Sequence, residues 1–322
     1  MRVGGCVIMI RTVIILAVAV LLGRGALAAT DYVGGPRALY QALAEQPHET
    51  LRLGGGEIEV VFADGAPGLD RAPVMAWING SAEAAIAYFG RFPVAKVGLL
   101  VIADDGDRIG GGTTFGHRGS AIRIHVGSKA GADSFARDWK LVHEMVHLAL
   151  PRVVPQENAN WMMEGSATYV EPIARALAGH LSEAAVWSDS LDGMPKGQPG
   201  PNDGGLDHQP GWGRSYWGGA TFWLLADVGI RERTGNRLGL IDALRGINRD
   251  SGGNGVEWSE RQVVEAGDKA TGTHVLSDLY AHMKDEPVTV DLDGLFARLG
   301  VGRGGFDEQA PEAALRRAIV GR

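Results

Sequence analysis

The sequence predicts an α+β fold in which a small mixed sheet packs on a mainly α-helical part. Three observations carry this expectation. Residues 57–62, 96–103 and 121–126 are short runs rich in Val, Ile and Leu with the length and patterning of strands. After Gly131, apolar residues recur at helical spacing through most of the chain. No internal repeat of roughly 20–50 residues is present, which argues against a solenoid.

The first segment reads as a targeting signal. Arg2 and Arg11 flank a weakly polar start, residues 12–22 are apolar, and Ala26-Leu27-Ala28 has the small-x-small pattern of a cleavage site. The expectation is a signal peptide over residues 1–28, cleavage after Ala28 and an exported chain, periplasmic or secreted. The alternative is an uncleaved N-terminal membrane anchor. The apolar run is shorter than a spanning helix needs, so no stable membrane span is expected after cleavage. Cys6, the single cysteine, lies before this run. The mature chain therefore has no disulfide, and any metal site must use His and carboxylate. Removing the signal's three arginines takes the net charge from −7 to −10. An acidic chain without a basic patch is a poor candidate for nucleic-acid binding.

Residues 29–130 are expected to form an N-terminal α/β subdomain with the sheet, and residues 131–322 a helical part, the two making one unit. Residues 57–62 form a strand ended by Asp64-Gly65. Ser81 is placed to cap a helix whose apolar positions are Ala82, Ala85, Ile86 and Phe89. Residues 96–103 read as a buried strand and residues 104–112 as a glycine-rich turn region. Residues 121–126 alternate Ile122, Ile124 and Val126 with Arg123 and His125, a half-buried strand at a sheet edge.

Asp133 is a good N-cap for a helix over residues 134–150, stopped by Pro151. A second helix starts near Asn160, and Pro172 kinks or divides it. Residues 193–213 hold seven Gly and four Pro, an irregular loop that Trp212, Trp217 and His208 mark as an ordered rim. A strongly apolar helix over residues 215–233 follows, closed by Thr234-Gly235. Several short amphipathic helices complete the chain.

The first long helix carries His143-Glu144-Met145-Val146-His147. Two histidines four apart lie one turn apart on one face, so both imidazoles can reach one Zn²⁺ with Glu144 beside a bound water. A catalytic zinc takes three protein ligands and leaves one position open. The pattern HExxHxxGxxH is excluded, because Leu150 and Val153 stand where Gly and His would be needed. Glu164, seventeen residues beyond His147 and followed by Gly165, is the best third ligand. Glu144 would act as general base and carry the proton to the leaving amine. Glu171 lies two helical turns beyond Glu164 on roughly the same face. It either accepts the second N–H of a ligand histidine or is a surface carboxylate beside Pro172.

These residues resemble the gluzincin metallopeptidases, above all the aminopeptidase-N and glycyl-aminopeptidase groups. Those families carry W-x-x-E-G-x-A-x-Y-x-E, and the stretch from Trp161 through Glu164-Gly165 to Glu171 is similar to it. The resemblance implies a zincin-like (thermolysin-like) catalytic domain, a zinc-ligand role for Glu164 and a supporting role for Glu171. A downstream Y-x-K-G in those families bears a tyrosine that stabilises the tetrahedral intermediate. Tyr216-Trp217-Gly218-Gly219 looks similar, with Gly218 in place of Lys, which implies that role for Tyr216. Residues 224–235 are similar to the pattern L-x-x-D-x-x-I-R-x-x-T. The likeness covers about residues 110–300 and is strongest from 140 to 171.

Two departures bear on substrate. The families have a strand segment of the type G-x-M-E-N before the zinc helix, whose Glu helps hold a free amine. The corresponding residues 110–119 contain no Glu. Arg118 or Arg123 is instead available to a carboxylate, although a solvated charge is the commoner reading of each. The spacer between His147 and Glu164 is also slightly shorter than usual. The resulting expectation is a zinc-dependent peptidase acting on a peptide or protein, held in extended form along the strand near residues 120–126. The competing expectation is a metal-bearing binding or assembly protein of the cell envelope with negligible turnover. A zinc hydrolase acting on a non-peptide bond is a third. Amino- versus endopeptidase choice, side-chain preference and oligomeric state are not legible in the sequence.

Overall fold

The computed structural model describes residues 32, 35–154, 156–208 and 211–321. The expected signal peptide lies outside them. The sheet contains β1 (His48–Leu53), β2 (Gly56–Phe62), β3 (Lys96–Asp104), β4 (Ile109–Phe115) and β5 (Ala121–Gly127), in the order β1-β2-β3-β5-β4. β2, β3 and β5 run parallel, and β1 and β4 close the two edges antiparallel. Helix α1 (Pro36–Glu45) covers one face through Leu39 and Ala42, against Val61 and Leu100. Helix α2 (Arg71–Phe89) covers the other with Val74, Ile78 and Ala82. β3 is the apolar run of the sheet, while β2 and β5 interleave buried residues with the half-buried Glu57, Glu59, Arg123 and His125.

Five local expectations are corrected. Ser81 does not cap a helix; the cap of α2 lies eleven residues earlier, where the Asp70 carboxylate accepts from the Ala72 N–H at 3.2 Å. Ser81 lies inside α2 and donates to the Trp77 carbonyl at 2.9 Å, the usual solution for a mid-helix serine. The glycine-rich region before residue 112 is largely not a turn. It opens β4, which pairs with β5 through a register shift between Ile109 and Gly112. As a consequence β5 is interior, and β4 is the edge strand.

The helix expected over residues 134–150 is broken. It forms α3 (Ala132–Ala136) and α4 (Lys140–His147). Between them the buried Asp138 carboxylate accepts from the N–H groups of Lys140 and Leu141, at 3.2 and 3.1 Å. That side chain caps a new helix start and turns α4 onto the sheet. Helix α5 (Gln156–Leu177) starts earlier than expected and runs through Pro172 undivided.

The helical core centres on α5 and α7 (Gly219–Thr234), where Trp161, Phe222 and Trp223 are buried. Five further helices follow from α8 (Leu240–Ser251), as the amphipathic pattern predicts. A short parallel pair ties β6 (Arg152–Val153), just after α4, to β7 (Glu257–Trp258). No described helix is long and apolar enough to cross a membrane.

Candidate active site

Helix α4 lies across the sheet with Leu141, Met145 and Leu148 in the sheet-side core. Its opposite face presents His143 and His147, whose ring centroids are 4.8 Å apart and nearly perpendicular. Helix α5 brings Glu164 to them. Its Oε2 lies 3.1 Å from His143 Nε2 and 3.5 Å from His147 Nε2. One ligand atom from each residue falls within 4.8 Å of the others. Zinc bonds of about 2.0–2.1 Å in a tetrahedron separate ligand atoms by roughly 3.3 Å, so this N,N,O set fits zinc. Burial by itself would raise the Glu164 carboxyl, but hydrogen bonds with the two histidines hold it well below the usual carboxylate range. Burial would lower His147; Glu164 and Glu144 outweigh it and raise it. Two neutral imidazoles and one carboxylate would leave a bound dication partly uncompensated, as Lewis-acid chemistry needs.

Glu144 is 8% exposed and sits between α4 and the edge strand. Thr114 Oγ1 lies 2.6 Å from Glu144 Oε2 and 2.9 Å from the Glu144 carbonyl oxygen. This hydroxyl orients the carboxylate, and sequence reasoning missed it. The alignment of residues 110–119 with a substrate-holding strand was the available signal. Gly112 is part of the same arrangement, since a Cβ there would stand 2.6 Å from Glu144 Cγ. The missing side chain makes room for the Glu144 carboxylate.

Tyr216 comes from a π-helical turn (Arg214–Gly218) that leads into α7. Its ring stacks on His143 at 6.0 Å and on Trp212 at 5.5 Å. Burial raises its hydroxyl, and the nearby Glu164 and Glu144 raise it further, so it stays protonated and able to donate. Arg214 anchors the turn, donating to the Gly197 carbonyl at 2.7 Å. Two glycines bring the turn close. A Cβ on Gly165 would lie 2.4 Å from Gly219 Cα, and one on Gly219 would lie 2.2 Å from the Trp161 carbonyl oxygen. Gly165→Ala is therefore expected to push α5 from α7 and separate Glu164 from Tyr216. A loss of about 1–3 kcal/mol in denaturant unfolding, with weaker zinc binding, is the expected result.

Glu171 and Arg123 are engaged away from the roles considered for them. Glu171 pairs with Arg175 at 3.0 Å rather than with a ligand histidine. Two helical turns carry it about 10 Å along α5 from Glu164, past the histidines. Burial lifts its carboxyl to about 8, against the opposing pull of Arg175. A carboxyl raised on folding contributes stability present in full below its unfolded value of about 4.5 and lost as pH rises through about 8. Glu171→Gln cannot titrate. Wild type should therefore lose thermal stability relative to this variant between about pH 5 and pH 8, read as the difference in Tm.

Arg123 is not presented to a ligand either. Its guanidinium bonds the Tyr32 carbonyl and Thr113 and lies over Phe115. The Arg118 backbone N–H meets the Tyr40 hydroxyl. The arginine on the cleft is Arg152, which pairs with Glu257 at 2.9 Å and also contacts His117.

Two cavities meet at His143 and Tyr216. One of about 450 Å³ lies along β4 and holds Glu144, His147 and Glu164. The other, of about 680 Å³, runs between α5 and α6 (Glu183–Gly193).

No family model matches the chain, and no curated protein matches it in sequence. Solved structures do. An aminopeptidase N family protein from Idiomarina loihiensis superposes with a TM-score of 0.57 at 15% identity, over 79% of this chain and 49% of its own. An M1 zinc metallopeptidase from Deinococcus radiodurans gives 0.44 at 14% identity, over 76% and 54%. The chain thus spans about half the length of these proteins. Its α+β fold is similar to that of the aminopeptidase N family protein, and at this identity the likeness is one of fold.

Proposed function

We propose that the chain is a zinc-dependent peptidase. The observation that carries this reading is the convergence of His143, His147 and Glu164 from two helices, with a buried glutamate beside them. Bound zinc would supply the Lewis acidity that makes water nucleophilic at neutral pH. Glu144, oriented by Thr114, takes the proton from the attacking water and delivers it to the leaving amine. Tyr216 donates its hydroxyl to the developing oxyanion. Among the described residues β4 is a terminal strand of the sheet, an edge along which an extended peptide can lie, replacing β5 in that role. Its side of the cleft holds the metal triad and Glu144, so the peptide bond would pass beside the base.

The test is a mixed-peptide digest read by mass spectrometry, beside metal analysis of the same preparation. Cleavage with one zinc per chain is expected. Stoichiometric zinc without cleavage across varied peptides would overturn the reading and favour a metal-bearing binding protein. Products shortened only by single N-terminal residues would identify an aminopeptidase. Tyr216→Phe is expected to lower kcat by about a hundredfold to a thousandfold, with KM little changed. Export through residues 1–28 belongs to the same proposal and is checked by the N-terminal sequence of the mature protein.

A further inference from the structure

The larger cavity is lined by Trp139, Trp187, Trp212 and Trp217, together with His143 and Tyr216. Trp187 is 2% exposed, whereas Trp212 stands at the rim and is 61% exposed. A single exposed aromatic residue is ordinary on a protein surface. What sets Trp212 apart is its neighbour. Its ring lies 5.5 Å from the Tyr216 ring at 26°, and the Tyr216 ring lies 6.0 Å from His143 at 9°. Tyr216 is thus the middle ring of three, with a proposed metal ligand on one side and solvent-facing tryptophan on the other.

Local geometry accounts for the stack. Trp212 and Tyr216 are four residues apart, and the Ser215 N–H bonds the Gly211 carbonyl at 2.9 Å, so both side chains leave one face of a single turn. That turn is anchored to the chain before it. A Cβ on Gly213 would stand 2.5 Å from the Lys196 carbonyl oxygen, and Arg214 donates to the Gly197 carbonyl at 2.7 Å. His143 is fixed as well, being buried on α4. Tyr216 itself is only half-buried. A tyrosine side chain has three staggered choices at its first torsion, so a half-buried one needs contacts to keep its hydroxyl in one place. His143 supplies one such contact and Trp212 the other. Among the described residues no further ring stacks on Tyr216.

We propose that Trp212 is a positioning residue: it holds the Tyr216 ring against His143 and so keeps the hydroxyl aimed at the carbonyl oxygen of the bond being cleaved. It acts through Tyr216 and needs no contact with substrate or metal. The proposal rests on the reading in which Tyr216 donates to the oxyanion. A donor contributes only where the transition state presents its charge, so a ring free to swing toward the rim loses part of that contribution.

The test is a double-mutant cycle on the full-length, zinc-loaded protein, with Trp212→Ala, Tyr216→Phe and the two combined. Two quantities are measured: kcat and KM for one cleaved peptide, and the calorimetric affinity of a phosphinic peptide analogue whose phosphinyl oxygen stands where the oxyanion would form. Trp212→Ala is expected to lower kcat about tenfold, the upper range that one aromatic pair supports, with KM, zinc content and Tm close to wild type. In the Tyr216→Phe background the same substitution should cost less than about twofold, because the hydroxyl it positions is gone. Trp212→Phe keeps a ring in place and should retain most of the wild-type kcat. The affinity of the analogue should follow the same pattern. An undiminished kcat in Trp212→Ala, equal losses in both backgrounds, or a loss confined to KM overturns the proposal. Peptide cleavage that Trp212→Ala leaves undiminished removes Trp212 and leaves the peptidase reading standing. A wild type that cleaves no peptide removes that reading, and the analogue affinities then decide about Trp212 by the same comparison. A wild type that neither cleaves peptides nor binds the analogue overturns both.

Discussion

Glu144→Gln retains stoichiometric zinc and loses peptide hydrolysis by about a hundredfold to ten-thousandfold, the range that positioned acid–base catalysis contributes. The substitution is nearly isosteric, and the amide oxygen can still accept from Thr114 Oγ1, which now lies 2.6 Å from Glu144 Oε2. The three proposed ligands are untouched. What disappears is the only group in this arrangement that can take a proton from water and carry it to the amine. The effect should fall on kcat, with metal content and Tm close to wild type. Metal analysis and a single-peptide assay on the same preparation check this. Undiminished turnover would remove Glu144 from the mechanism.

The second large effect is expected at Glu164. Glu164→Ala leaves two imidazoles on α4 and removes the one ligand supplied by α5. Zinc affinity should fall by more than the roughly 10–100-fold seen when an outer partner of a ligand is removed. Stability gives an independent readout. Zinc that binds only the folded chain stabilises it by about 4 kcal/mol at a thousandfold excess over Kd, so wild type should melt higher with zinc than without. The variant should show little of that rise. An equal rise in both proteins would mean that the metal binds elsewhere. The metal-free variant should also be less stable, because Glu164 hydrogen-bonds His143 at 3.1 Å and lies 3.5 Å from His147.

Much of the site was legible in the sequence because its spacing is local. His143 and His147 share a face through helical geometry alone, whatever α4 packs on. Glu164 was readable from its distance downstream and from the Gly165 that follows it. The resemblance to gluzincins pointed to Tyr216, and the structure places its ring on His143. The sheet was partly legible. β3 shows itself by an apolar run, and β2 and β5 by buried apolar residues interleaved with charged ones. β4 does not, because Gly110, Gly111 and Gly112 carry no side chains to display a period of two. Its status as a strand depends on pairing with β5, a contact with no local signature.

The same reasoning explains Glu171. Its angular position on α5 is correct, yet the axial distance that separates it from the histidines matters only once α4 and α5 cross. Asp138, Thr114 and Trp187 belong to the same class, being ordinary residues until packing buries them. By itself, then, the sequence determined the pairing of His143 with His147, their expected grouping with Glu164 and the α+β class, because helical spacing and residue chemistry suffice for them. Tertiary structure alone decided the edge strand, the orientation of the base by Thr114 and the aromatic cavity beside it. Those depend on which surfaces meet across long stretches of chain, and close packing sets that through missing side chains at Gly112, Gly165 and Gly219 as much as through those present.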